Sequence, residues 1–492
     1  MIKHHFIYNI YVDWAFDLER AEGSYLWTNG KRLIDFTSGW NTTNLGWNNV
    51  EVSEAIIAQV GKNTYTPMWT ADAAQIEYAK LLTAALPAEL TAVGRATGGT
   101  EANEMAIKTA RAYTGRKNIL GFQKTFHGQS ATTLAIGLPA PYMEDSVPAS
   151  SHFIQIPYPQ TYRSDKSPER ILNDFAGELE KALAGRDVAA IVTEAGIITG
   201  WGSVYVAAQG YLRVVRELTK KYGTVMILDE VGTGFSRCGK LFGLEVGGVV
   251  PDIVTFAKGI SNGTAAIGAM VTRQDIAEAT FAKSILLSTF GWTPIACAAA
   301  HRTLQIHQRD KVWEKAARDG EHIMNRLKKE LPDHDRVGDI RGVGMEIGLD
   351  IVKDKRSKEP APDKVEAIVH QAFVRDLHIV CDHESTIQLM PPLTISRPIL
   401  DEGLDRLIET VKAVKKEPSD PATTPSSPRP RILGICQARL LRVDLIAPSF
   451  RLDGRQEEND ALGELRSRRL AIALPLRVVV LRDLRHATTG DG

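Results

Sequence analysis

Three short apolar stretches end in ionisable residues. Val188–Thr193 runs into Glu194, Thr224–Leu228 into Asp229 and Glu230, and Asp252–Phe256, by way of Ala257, into Lys258. Such stretches read as buried strands. In open α/β sheets, ligands sit beyond the carboxyl ends of the strands. A lysine in that position can attack a carbonyl and carry a proton, and an acid beside it can hold a cation or a proton. Any one of the three could merely begin a surface loop. Their recurrence about 30 residues apart argues for a shared site.

A second element is Thr97-Gly98-Gly99-Thr100-Glu101-Ala102-Asn103, which leads directly into an amphipathic helical pattern. Free N–H groups and the helix dipole at such a start would receive a phosphate, and Thr100 adds a hydroxyl. A plain helix cap with glycine for the turn would look the same. No Gly-Lys-Ser/Thr follows, so this is not a Walker loop. Gly232-Thr233-Gly234 lacks the third glycine of a dinucleotide fingerprint, which disfavours a nicotinamide enzyme. A phosphate cradle, an acid and a lysine at neighbouring strand ends match the needs of pyridoxal 5'-phosphate. The lysine forms the Schiff base, and the acid keeps the ring nitrogen protonated.

The elements that must position these residues alternate. Candidate strands are Asn118–Phe122, Val188–Thr193, Thr224–Leu228, Asp252–Phe256 and Gly268–Thr272. Candidate helices are Thr100–Tyr113, Ser167–Leu183, Ala208–Tyr222 and Arg273–Phe281. That alternation predicts an α/β fold with a mostly parallel sheet. From Thr293 the pattern changes to a long helix, Pro294–Leu331, with room for a break. Strands near Val343–Ile351 and Ile387–Leu389 and a last helix from about Leu400 to Lys415 follow, as in a smaller α+β domain. Tyr25–Asp35 reads as a hairpin turning at Thr28-Asn29-Gly30 and joining that small domain. The expected domains are thus residues 1–45, joining the small domain; 46–300, the large cofactor-binding domain; 301–416, the small domain; and 417–492, a tail. Glu417–Pro430 is a Pro/Ser/Thr-rich linker, and Gly434–Gly492 holds ten Arg and no Lys, so the tail is expected to be disordered or foreign to the fold.

Composition excludes several classes. Lys plus Arg and Asp plus Glu are 59 each in 492 residues, so no net field draws nucleic acid or anionic membrane. The cysteines, Cys238, Cys297, Cys381 and Cys436, have no CxxC spacing and form no metal-ligand cluster. The apolar patch Phe6–Val12 makes no convincing signal peptide or cleavage site, and no apolar run is long enough to suggest a membrane span. A cytoplasmic enzyme without metal is the expectation.

One stretch is specific beyond these general arguments. Ile227-Leu228-Asp229-Glu230-Val231-Gly232-Thr233-Gly234-Phe235-Ser236-Arg237 is followed by Pro251-Asp252-Ile253 and Ala257-Lys258-Gly259. With Gly23-Ser24-Tyr25-Leu26-Trp27 and Asp35-Phe36-Thr37-Ser38-Gly39, the chain from about Glu22 to Val414 resembles the class III (ω-amino acid type) aminotransferases of pyridoxal-phosphate fold type I. The resemblance implies that Lys258 is the Schiff-base lysine and proton shuttle, and that Asp229 pairs with the ring nitrogen. It implies that Val231 and Phe126 flank the ring, that His127 and Glu194 line the site, and that Gly99 and Thr100 hold the phosphate. Thr289, in Ser288-Thr289-Phe290-Gly291, resembles the residue that reaches the phosphate of the partner subunit, which implies a homodimer.

The chain departs from the family pattern at its two carboxylate anchors. Gln129 follows the Phe126-His127-Gly128 motif where an arginine is usual, and Gln388 stands before Pro391-Pro392-Leu393 where another is common. A guanidinium fork matches a carboxylate bidentately and an amide does not. Arg397 is close enough in sequence to substitute, and Trp40 and Trp69 are further candidates for the substrate channel. Glu194 is followed by Ala195 in place of the usual proline. The expected reaction transfers an amino group from an amine or ω-amino acid to a keto acid such as pyruvate. A racemase, aminomutase or decarboxylase on the same scaffold is the alternative, and a catalytically silent binding protein is a third reading that the intact Lys258 and Asp229 oppose.

Overall fold

The computed structural model describes residues 2–3, 6–7, 16–137, 150–332 and 334–414. The linker and Arg-rich tail, and most of the Phe6–Val12 patch, lie outside the described residues.

Seven strands form the central sheet: β1 (Ala92–Ala96), β2 (Asn118–Phe122), β3 (Phe153–Ile156), β4 (Val188–Glu194), β5 (Val225–Asp229), β6 (Ile253–Phe256) and β7 (Gly268–Thr272). Their order is β1-β7-β6-β5-β4-β2-β3. The run from β3 through β6 is parallel, and β7 is antiparallel to both β6 and β1. Every residue of β4, β5, β6 and β7 is buried. Strands covered on both faces must be apolar at nearly every position, which is why they read as continuous hydrophobic runs.

Alternate residues divide into two cores. Leu120, Phe122, Met226, Leu228, Val254 and Phe256 face one side, with Phe175 and Leu179 of helix Pro168–Leu183 and Tyr211 and Val215 of helix Tyr211–Tyr222. Ile119, Val225, Ile227, Ile253 and Met270 face the other, under Ala102, Met105, Ala106 and Ala110 of helix Gly99–Thr114. Each fully buried side chain of this size stabilises the fold by roughly 1.5–3 kcal/mol.

The expected long helix is two, Pro294–Arg309 and Val312–Glu330, broken where Lys311 adopts the left-handed conformation at φ 45°. Neither Gly nor Pro marks that break. Beyond it, Val337–Val343, Glu346–Ile351, Thr386–Leu389 and Val380–Cys381 form an antiparallel sheet. The hairpin Tyr25–Thr28/Lys31–Asp35 turns on Asn29 and Gly30, both at positive φ, and its second strand pairs in parallel with Leu377–His378. Edge strands β1 and β3 had no clear sequence signal.

One arginine ties the segments around the site together. Arg237 is fully buried and donates to the carbonyls of Met345 (3.1 Å) and Pro391 (2.8 Å), to Ser38 Oγ (3.2 Å) and to Asn44 Oδ1 (2.7 Å). Burial pulls its pKa down to about 10, so it stays charged at neutral pH.

Candidate active site

The sheet register sets two of the three acids and bases side by side. Asp229, the last residue of β5, pairs with Glu194, the last residue of β4, so both side chains leave the same face of the sheet. Lys258 begins the short 3₁₀ turn Lys258–Ser261, two residues beyond the end of β6, with φ 47°. That left-handed conformation is costly for a lysine, and the packed surroundings must hold it there. All three line one cavity of about 410 Å³, with Gly98, Gly99, Thr100, Phe126, His127 and Val231.

Asp229 is surrounded by donors. Its Oδ2 accepts from Asn103 Nδ2 (2.8 Å) and lies 2.7 Å from His127 Nδ1, and its Oδ1 accepts from the Val231 amide (2.9 Å). Asn103 also donates to the His127 carbonyl (2.8 Å) and accepts from Thr255 Oγ1 (2.7 Å), which fixes its orientation. The sequence reading did not assign Asn103 a role. Its only signal was its place one turn into the helix that starts the phosphate cradle. Asp229, His127 and Asn103 are each at most 3% exposed.

Glu194 is 2% exposed. Its Oε2 accepts from the Thr199 amide (2.7 Å) and hydroxyl (2.5 Å), while its Oε1 has no partner among the described residues. Burial, reinforced by the charge of Asp229, pushes its carboxyl up to about 7. Burial lowers the Lys258 pKa, and the charges of Glu194, Asp229 and Glu346 counter this only in part. A lysine so shifted is closer to its nucleophilic neutral form.

The helix Gly99–Thr114 opens into this cavity with no side chain capping it. Its first amides and dipole favour an anion. Gly128 lies at φ 141°, and a Cβ there would sit 2.6 Å from Thr100 Oγ1, so only glycine allows Thr100 to approach. A Cβ on Gly99 would meet Val231 Cγ2 at 3.0 Å. Phe126 stands opposite Trp201 with ring centroids 6.3 Å apart. An uncapped helix start, an acid among donors, the unpartnered Nε2 of buried His127 and a desolvated lysine fit pyridoxal phosphate.

None of the four expected substrate residues, Trp40, Trp69, Gln129 and Gln388, is among those that line the cavity. Gln129 is exposed and holds the site only through its backbone amide, which donates to Thr100 Oγ1 (3.2 Å). Trp69 is 79% exposed and lies outside the cavity of its own chain, as does the exposed Thr289. Arg397 does not substitute for a missing anchor, because it pairs with Asp319 at 2.7 Å and does not line the cavity. Gln388 is fully buried, donating to the Thr199 carbonyl (3.3 Å) and to Glu346. Trp40 sits at φ 65°, and its Cζ2 would lie 3.6 Å from a Cβ on Gly202.

Sheet order, strand-end acids and lysine define a pyridoxal-phosphate enzyme of fold type I. Residues 8–411 match the family model for class III aminotransferases, and the chain belongs to that family. It is 33% identical over 407 residues to an acetylornithine aminotransferase of Methanothermobacter thermautotrophicus, covering 82% of this chain and 96% of that one. It is 30% identical over 405 residues to a leucine/methionine racemase of Thermococcus litoralis, covering 81% and 90%. A solved (S)-enantioselective ω-transaminase from Thermomicrobium roseum superposes with a TM-score of 0.77 at 32% identity, covering 83% of this chain and 95% of that one. The protein is a pyridoxal-phosphate-dependent aminotransferase, whose substrates are an amino donor and a keto acid. Among the described residues no helix is long and apolar enough to cross a membrane.

Proposed function

We propose that the chain moves an amino group from an amine or ω-amino acid to a keto acid such as pyruvate. The observation that carries this reading is the convergence of Lys258, Asp229 and an uncapped helix start on one cavity. The bound cofactor supplies an electron sink for the carbanion and a carrier for the amino group. Lys258 would carry the proton between the substrate's Cα and C4′ of the cofactor, its amine held out of bulk water. Asp229, fixed by Asn103 and His127, would keep the proton on the ring nitrogen. The amides of Gly99 and Thr100 would bind the phosphate, and Phe126 and Val231 would confine the ring.

The active unit in this reading is a cytoplasmic homodimer in which Thr289 of one chain meets the phosphate held by the other. The apolar side chains exposed near Thr289 support it: Phe281 at 90%, Leu287 at 62% and Phe290 at 63%, with Trp69 at 79%. The domain division at residues 45, 300 and 416 belongs to the same proposal.

A single-turnover screen tests the reaction. The holoenzyme is mixed with a panel of amines, and conversion of the cofactor to its amino form is followed by absorbance. Conversion without added keto acid supports transamination. Turnover without conversion supports racemisation, the reading that the likeness to the Thermococcus enzyme favours. Sedimentation tests the assembly, since a fully active monomer is incompatible with a shared phosphate site.

A further inference from the structure

Glu194 and Thr199 line the cavity, Gln388 bonds to the Thr199 carbonyl without lining it, and the three turn their donors away and leave two acceptors bare. Thr199 gives both its amide and its hydroxyl to Glu194 Oε2. Gln388 gives its amide N–H groups to the Thr199 carbonyl and to Glu346, whose other oxygen takes Asn41 Nδ2 at 2.8 Å. What remains is Glu194 Oε1 and Gln388 Oε1, both buried in side chains at most 2% exposed, and neither with a hydrogen-bond partner among the described residues. A buried acceptor left without a donor is costly, about 1–3 kcal/mol each, so such a pair calls for a ligand that donates.

Gly202 leaves the Gln388 oxygen uncovered, because a side chain there would crowd it. Gly202, at φ 84°, would place a Cβ 3.1 Å from Gln388 Oε1 and 3.6 Å from the Trp40 ring. Cations are scarce there. Lys258 is the only lysine or arginine among the described residues that line the cavity, and the four donor contacts of Arg237 go to Met345, Pro391, Ser38 and Asn44. A second carboxylate on the substrate would face acceptors with no cation to hold it.

We propose that the preferred amino donor carries an N–H or O–H group at its far end, as a diamine or amino alcohol does, and that Glu194 Oε1 receives that group with Gln388 excluding a carboxylate. This rests on the aminotransferase reading but concerns binding, so the two can be tested apart.

Full-length Lys258→Ala protein loaded with pyridoxal phosphate stops each donor at the binding stage, whatever reaction would follow. Pentane-1,5-diamine, 5-aminopentan-1-ol, pentylamine and 5-aminopentanoate are titrated against it, with affinity read from the absorbance of the bound cofactor. The diamine and the alcohol should bind about 10- to 100-fold more tightly than the acid, the size of one hydrogen bond to a charged group. Preference for the diamine alone would mean that charge is read, and equal preference for both that the acceptor is read. Each outcome supports the assignment. Adding Gln388→Arg should raise the acid-to-diamine affinity ratio by at least about tenfold through a bidentate pair. Should that variant not fold, Glu194→Gln replaces it, and the diamine-to-pentylamine ratio should fall by about tenfold. Acid and diamine binding equally to the parent, or ratios unmoved by the variant, would overturn the proposal. Turnover of the same amines by the unaltered enzyme independently tests the reaction.

Discussion

Glu194 and Asp229 occupy the same rung of the central sheet, yet their surroundings are opposite. Asp229 has Asn103, His127 and the Val231 amide at its two oxygens. Glu194 has Thr199 on one oxygen and nothing on the other among the described residues. Two carboxylates this close cannot both hold a negative charge cheaply. The donors stabilise a charge on Asp229, where a protonated ring nitrogen needs it, and burial pushes the Glu194 carboxyl up to about 7.

Replacing Lys258 with Ala should leave the fold intact and abolish covalent attachment of the cofactor. Loss of the proton carrier alone costs about 10²- to 10⁴-fold in rate. Borohydride reduction of the unaltered holoenzyme followed by peptide mapping checks the attachment, and label on another lysine would refute it.

Asp229→Asn should retain cofactor and lose most of the rate, about 10²-fold or more, because an amide cannot stabilise the charge on the ring nitrogen. Cofactor content by absorbance and turnover are measured on the same sample. Near-native turnover would remove Asp229 from this role.

Asn103→Ala should weaken cofactor retention although Asn103 need not touch the cofactor. The change strips a donor from Asp229 Oδ2 and from the His127 carbonyl and an acceptor from Thr255 Oγ1. Each buried group left unsatisfied costs about 1–3 kcal/mol. A lower thermal midpoint together with faster loss of cofactor on dialysis is expected. An unchanged release rate would confine Asn103 to packing.

Glu194→Gln should alter how stability depends on pH. Because the folded-state pKa of Glu194 is raised from 4.5 to about 7, its contribution to stability is full below about pH 4.5 and is lost as pH rises through 7. Relative to the unaltered chain, the glutamine variant should therefore gain stability between pH 4.5 and pH 8, on the order of 3 kcal/mol. Urea unfolding of both cofactor-free proteins at the two ends of that range gives the difference. A difference independent of pH would show that Glu194 titrates normally.

Where a residue's position was set by its place along a strand, the sequence showed it. The apolar runs of β4, β5 and β6 are continuous because both faces are buried, so their polar ends stood out. Strand β1, Ala-Val-Gly-Arg-Ala, is half-exposed at an edge and contains Gly94, a poor strand former, so it carried no such signal. The break at Lys311 was expected only as a possibility, since the usual punctuators are absent. Asn103 sits in a helical pattern like any polar residue, and its partners are 24, 126 and 152 residues away. Gln388 was singled out for standing where an arginine is common, but its hold on Glu346 depends on the register of two strands that no local pattern specifies.

The hydrogen bonds of the Arg237 guanidinium can be completed only late in synthesis. Its partners Met345 and Pro391 lie 108 and 154 residues further along the chain. A ribosome will have released Glu194, Asp229 and Lys258 well before either carbonyl exists, and until then Arg237 has only Ser38 and Asn44 of its four acceptors. A nascent chain that stops just short of Pro391 therefore holds every residue that lines the cavity and still lacks an acceptor that fixes Arg237.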